Sequence, residues 1–84
     1  MLEHEVTITN PTGLHAQASA KLVQVLATFK SQVTLCGKGR EVNAKSIMGV
    51  MLLAAGPGTV LKVKIHGEDE QEALKTVQQF FADM

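Results

Sequence analysis

Gln32-Val33-Thr34-Leu35-Cys36-Gly37-Lys38-Gly39-Arg40-Glu41-Val42 is the stretch that decides the architecture. Two short β-rich runs flank Gly37-Lys38-Gly39, and glycine supplies the positive φ that a tight antiparallel connection needs, so the stretch predicts a hairpin. Upstream of it, Leu22, Val25, Leu26 and Phe29 fall at i, i+3, i+4 and i+7, with Ala18 one turn earlier. That spacing predicts a helix over Ala16 to Lys30 with one apolar face, and Lys21, Gln24 and Thr28 pointing away. Further back, Glu3 to Thr9 alternates with Val6 and Ile8 on one side, a half-buried strand that Asn10-Pro11-Thr12-Gly13 stops. Downstream of the hairpin, Asn43 to Ser46 leads out, and Ser46 is placed to N-cap the run from Ile47 to Leu53, roughly two helical turns. Gly56-Pro57-Gly58 ends that run. Thr59 to Ile65 alternates again, with Leu61, Val63 and Ile65 inward and Lys62 and Lys64 outward. After Gly67, the acids Glu68-Asp69-Glu70 suit a helix start, and the last helix carries Ala73, Leu74, Val77, Phe80 and Phe81.

The order is β-α-β-β-α-β-α, an α+β pattern. Strands apolar on one face need one covering layer, and the first and last helices each offer one apolar stripe, so a two-layer, open-faced sandwich follows. The middle helix is apolar nearly all round. In two layers only one side of it can pack inward, so part of Ile47, Met48 and Met51 faces solvent as a docking patch for partners.

The 84 residues form one domain, 1–84, with 45% apolar and 19% charged residues. Eight basic and eight acidic side chains leave a formal net charge of +0, and there is no Trp or Tyr. Neither a global attraction for nucleic acid nor a base-stacking platform is expected. The longest apolar run, Ile47 to Ala55, is nine residues and too short to span a membrane, and the acidic start lacks the basic region of an export signal. One cysteine, Cys36, allows no internal disulfide and suits a reducing cytoplasm. His4 and His66 lie at a strand start and a strand end with no second ligand at metal spacing, and no Gly-rich nucleotide loop is present, so neither a metal nor a cofactor is expected.

Gly13-Leu14-His15-Ala16-Gln17 puts a histidine where a loop becomes a helix. Free N–H groups and the positive end of the helix dipole attract an anion there, and a neutral imidazole nitrogen is a nucleophile near neutral pH. His15 is either a simple helix-start residue or a phosphoryl acceptor whose load the amides of Ala16 and Gln17 hold.

Three blocks bear on these readings: Gly13-Leu14-His15-Ala16, Asn43-Ala44-Lys45-Ser46-Ile47-Met48-Gly49 and Gly67-Glu68-Asp69-Glu70-Gln71-Glu72-Ala73-Leu74. Together, at matching spacing and over essentially the whole chain, they resemble the HPr family, the histidine-containing phosphocarriers of the bacterial sugar phosphotransferase system. The resemblance implies a four-stranded antiparallel sheet backed by three helices. It further implies that His15 takes phosphate from enzyme I on Nδ1 and passes it to the A domain of an enzyme II. On that reading the chain is a phosphotransfer intermediate, expected to be monomeric, rather than an enzyme that turns over alone.

The family pattern after the histidine is Ala-Arg-Pro, whereas this chain has Ala16-Gln17-Ala18. Glutamine can donate a hydrogen bond but carries no charge, so weakened transfer is expected. Ala18 for proline is a smaller change, because alanine also starts helices well. Ser46 matches the serine that HPr serine kinase/phosphorylase modifies in low-GC Gram-positive HPr and in the related Crh, where the product binds a catabolite-control regulator. The alternative function is therefore a Crh-like regulatory module controlled at Ser46, against the plain reading of Ser46 as an N-cap. Lys45 offers a cation beside either phosphate, but an exposed lysine is more often simply solvated.

Overall fold

The computed structural model describes residues 1–83; Met84, the last residue of the expected domain, lies outside the described residues. The elements are β1 (Leu2–Thr7), α1 (Ala16–Leu26), β2 (Gln32–Gly37), β3 (Arg40–Asn43), α2 (Ile47–Leu52), β4 (Val60–His66) and α3 (Glu70–Ala82). The four strands form one antiparallel sheet in the order β1-β4-β2-β3. β4 enters between β1 and β2, and its inward residues Leu61, Val63 and Ile65 are wholly buried beside Val33 and Leu35 of β2. The helices cover that face. Ser19, Leu22 and Leu26 of α1 and Ala73, Val77 and Phe81 of α3 complete the buried layer. The other face carries cross-strand charge pairs, Lys62 with Glu3 and Lys64 with Glu41. The period-2 alternation of each strand thus becomes one dry and one wet face.

The hairpin forms where expected, with Gly37 opposite Arg40 and a two-residue turn between them. Both turn residues, Lys38 (φ 53°) and Gly39 (φ 76°), have positive φ, as the right-handed strand twist demands of so short a loop. The turn also serves α2. Lys38 Nζ donates to the Ala54 carbonyl at 2.9 Å, and an Arg40 guanidinium nitrogen donates to the Leu52 carbonyl at 3.1 Å. Two cations therefore face the negative end of α2.

α1 ends at Leu26, four residues short of the Lys30 expected from the apolar spacing. The Asp69 carboxylate is the reason: it accepts the N–H groups of Lys30 (2.8 Å) and Ser31 (2.9 Å) and the Ser31 hydroxyl. Those amides are drawn away from a helical ladder and toward the loop before α3. Asp69 sits at the N-cap of α3 but makes no side-chain cap bond there, because its oxygens are spent on this clip. Val25, expected inward, is only half-buried, because Ser19, Leu22 and Leu26 take the core-facing stripe of α1.

The hydrogen bond from Ser31, then that from the Lys30 amide, hold the Asp69 carboxyl at a pKa of about 2, below its ordinary 3.8. A lowered pKa in the folded state means the clip stabilises fully above pH 3.8 and loses its contribution as pH falls toward 2. Asp69→Asn is expected to lower the melting temperature at neutral pH and to flatten its fall between those two pH values, as followed by circular dichroism. An unchanged acid limb in the variant would refute this account.

Candidate functional site

His15 is held by what precedes it. The turn Asn10-Pro11-Thr12-Gly13 closes through a bond from the Gly13 N–H to the Asn10 carbonyl at 3.2 Å, and Gly13 adopts φ 65°. A Cβ on Gly13 would strike the Ala55 carbonyl oxygen, the same oxygen that accepts the Leu14 N–H at 2.9 Å. Leu14 is buried in the core and its carbonyl accepts the Ser19 hydroxyl at 3.4 Å, so the residue before His15 is anchored on both sides.

His15 itself is the N-cap of α1, with extended backbone, and its carbonyl accepts the Ser19 N–H at 2.9 Å. Its Nδ1 accepts the Gln17 N–H at 3.2 Å. An accepting Nδ1 carries the lone pair, so in the neutral ring the proton sits on Nε2. The ring is exposed, and its nucleophilic nitrogen points at the first turn of an eleven-residue helix. Ala16, Gln17 and Ala18 have no carbonyl four residues back within α1, so their N–H groups lie at the positive end of the dipole.

Beside His15 an open groove of about 730 Å³ runs between α1 and α3, with Gln17, Lys21 and Val25 along one wall and Lys75 and Phe80 along the other. The structure thus brings His15 and Gln17 together, with Ala16 between them in the chain. It does not bring Ser46 into that groove. Ser46 caps α2, accepting the Gly49 N–H on Oγ at 3.2 Å, as its position before the apolar run indicates. The α2 surface is exposed as expected at Ile47, Met48 (75%) and Met51, and Leu52 (60%) joins it. Leu52 lies on the same run that marked the other three, but only the short helix and its packing show which side turns out. Lys45 is not a free cation: its Nζ donates to the Phe29 carbonyl at 2.6 Å. Lys21, by contrast, faces away from the core as its spacing indicates, yet lies on the wall of the groove, which spacing alone does not reveal.

His4 and His66 are both exposed. His4 Nε2 lies 3.2 Å from Gln78 Nε2 at the edge of α3. Cys36 lies on the outer sheet face 3.4 Å from Glu41, and partial burial, then that hydrogen bond, push its thiol pKa up, away from a reactive thiolate. Among the described residues no group of three or more His, Cys, Asp or Glu side chains could hold a metal ion, and no helix is long and apolar enough to cross a membrane.

A small α+β sheet domain presenting one accepting imidazole nitrogen at a helix start has the anatomy of a phosphocarrier. A family model described as the PTS HPr component phosphorylation site matches residues 2–83. The chain is 63% identical over 81 residues to the phosphocarrier protein HPr of Xylella fastidiosa (strain Temecula1), covering 96% of this chain and 91% of that protein. Its fold superposes on HPr-C-His from Thermoanaerobacter tengcongensis with a TM-score of 0.93 at 41% identity, over 98% and 92% of the two chains. Crh of Bacillus subtilis, solved as a domain-swapping dimer, follows with a TM-score of 0.79 at 42% identity, over 99% and 95%. The chain belongs to the HPr family of phosphocarrier proteins of the phosphotransferase system.

Proposed function

We propose that His15 is the phosphoryl acceptor, taking phosphate from enzyme I on Nδ1 and handing it to an enzyme II A domain in the cytoplasm. The observation that carries this is the 3.2 Å contact from the Gln17 N–H to Nδ1 in an exposed N-cap histidine. It sets the lone pair on the nitrogen that must attack. In the forward step that lone pair forms an N–P bond while the bond from phosphorus to its donor atom on enzyme I breaks, the electron pair staying with the donor. The long contact to Nδ1 then gives way, and the amides of Ala16 and Gln17 face the new phosphoryl oxygens, which the helix dipole also favours. In delivery the same bond breaks toward the acceptor. Ile47, Met48 and Met51, with Leu52, form the apolar dock for both partners in turn.

The test is incubation with phosphoenolpyruvate and a cognate enzyme I, followed by mass spectrometry. An acid-labile adduct on His15 is expected, and an unmodified His15 after long exposure refutes the proposal. Gln17 is the weak point of the site, since it offers a neutral donor where the family places an arginine. Gln17→Arg is expected to speed transfer about tenfold, because a charge-assisted bond is roughly twice as strong as a neutral one. An unchanged rate in stopped-flow transfer assays would show that the missing charge is not limiting.

The regulatory alternative, control by phosphorylation of Ser46 through a serine kinase and a catabolite-control regulator, has no observation of its own beyond the residue. Ser46 Oγ accepts the Gly49 N–H as the cap of α2, which the plain reading of the residue already explains.

A further inference from the structure

The basic side chains of the described residues divide cleanly. Lys30, Lys62 and Lys64 pair with Glu68, Glu3 and Glu41, while Lys38, Arg40 and Lys45 donate to backbone carbonyls. Among the described residues the two that make neither an ion pair nor a side-chain hydrogen bond are Lys21 and Lys75, and both line the groove that His15 opens onto. Of these, Lys21 stands on the same helix as His15, one turn after Gln17. Residues four apart share a face of a helix, and helical side chains lean toward the N-terminus, so the Lys21 stem runs back over the ground that Gln17 covers. The acid of the groove, Asp83, makes no ion pair with Lys21 among the described residues; its Oδ1 accepts the Gln79 side-chain amide at 2.9 Å.

We propose that Lys21 supplies the positive charge that Gln17 lacks, turning its ammonium toward the phosphoryl group on His15. In this arrangement the cation stands one helical turn further along α1 than position 17. Lysine is well suited to this role because its ammonium is a compact charge on a flexible four-carbon stem, able to reach a dianion from a neighbouring turn where a planar guanidinium would need a fixed geometry. Being farther away than a residue at position 17, it stabilises the phosphoryl group less than a direct arginine would, so the gain expected from Gln17→Arg and a role for Lys21 are compatible. Such a role for Lys21 rests on His15 being the phosphoryl acceptor.

The test separates the two. Wild type, Lys21→Gln and Lys62→Gln are phosphorylated with phosphoenolpyruvate and enzyme I, isolated, and titrated by phosphorus NMR. A nearby cation favours the dianion, so its loss in Lys21→Gln raises the midpoint of the second phosphoryl ionisation by about half a pH unit. Lys62→Gln makes the same change in net charge on the outer sheet face and leaves the midpoint where it is. A wild-type protein that takes no phosphate overturns both readings. A phosphorylated wild type whose midpoint matches that of Lys21→Gln, or a shift of equal size in Lys62→Gln, overturns the role of Lys21 alone.

Discussion

His15→Ala is expected to abolish phosphoryl acceptance from enzyme I altogether, because no other group described near α1 presents a nucleophilic nitrogen. The protein should still fold. His15 is exposed, and what the fold loses is one 3.2 Å bond from the Gln17 N–H to a cap, typically worth about 1 kcal/mol. In a domain of this size that corresponds to a fall in melting temperature of about 4–8 °C. The pairing of complete loss of phosphorylation with a small thermal change is what marks a reacting group rather than a structural one. An acid-labile adduct persisting in the variant, on His4 or His66, would place the chemistry elsewhere and refute the assignment.

Gly13→Ala is expected to produce the largest loss of stability of any single methyl group added near the site. The residue has φ 65°, which costs an L-residue with a Cβ about 1–2 kcal/mol. The new Cβ would also fall on the Ala55 carbonyl oxygen and within 2.9 Å of the Gly56 Cα, both backbone atoms that cannot swing aside. Relief requires the loop to move, and with it the 2.9 Å bond from Leu14 to Ala55. A total cost of roughly 2–4 kcal/mol follows, a fall of about 10 °C or more in melting temperature. Because the loop carries His15, the rate of phosphoryl acceptance measured well below the melting temperature should fall as well. A variant with wild-type stability would show that the loop accommodates the methyl group without strain.

Several parts of the fold are legible in the sequence. The alternation in β1 and β4, the Gly37-Lys38-Gly39 turn and the serine before Ile47 are local signals, each written within a few consecutive residues. The end of α1 is not. Nothing between Ala27 and Ser31 announces a stop, since the acceptor that captures the Lys30 and Ser31 amides is Asp69, nearly forty residues away in sequence. In sequence Asp69 reads as a favourable charge at a helix start, whereas its actual partners depend on β4 returning the chain between β1 and β2. Lys45 follows the same rule: beside Ser46 in sequence, it is committed in space to the Phe29 carbonyl.

At the site, sequence alone determined that a histidine sits at a helix start, that a neutral glutamine lies two residues further on, and that an apolar run with methionines must turn part of itself to solvent. These are properties of neighbouring residues and of helical spacing. Tertiary structure alone decided which apolar side chains of α2 turn outward, and which lysines are spent on carboxylates and carbonyls. Charge can be counted from a sequence, but whether a cation is free depends on the partners that folding brings within about 4 Å of it, and those partners come from distant strands and helices.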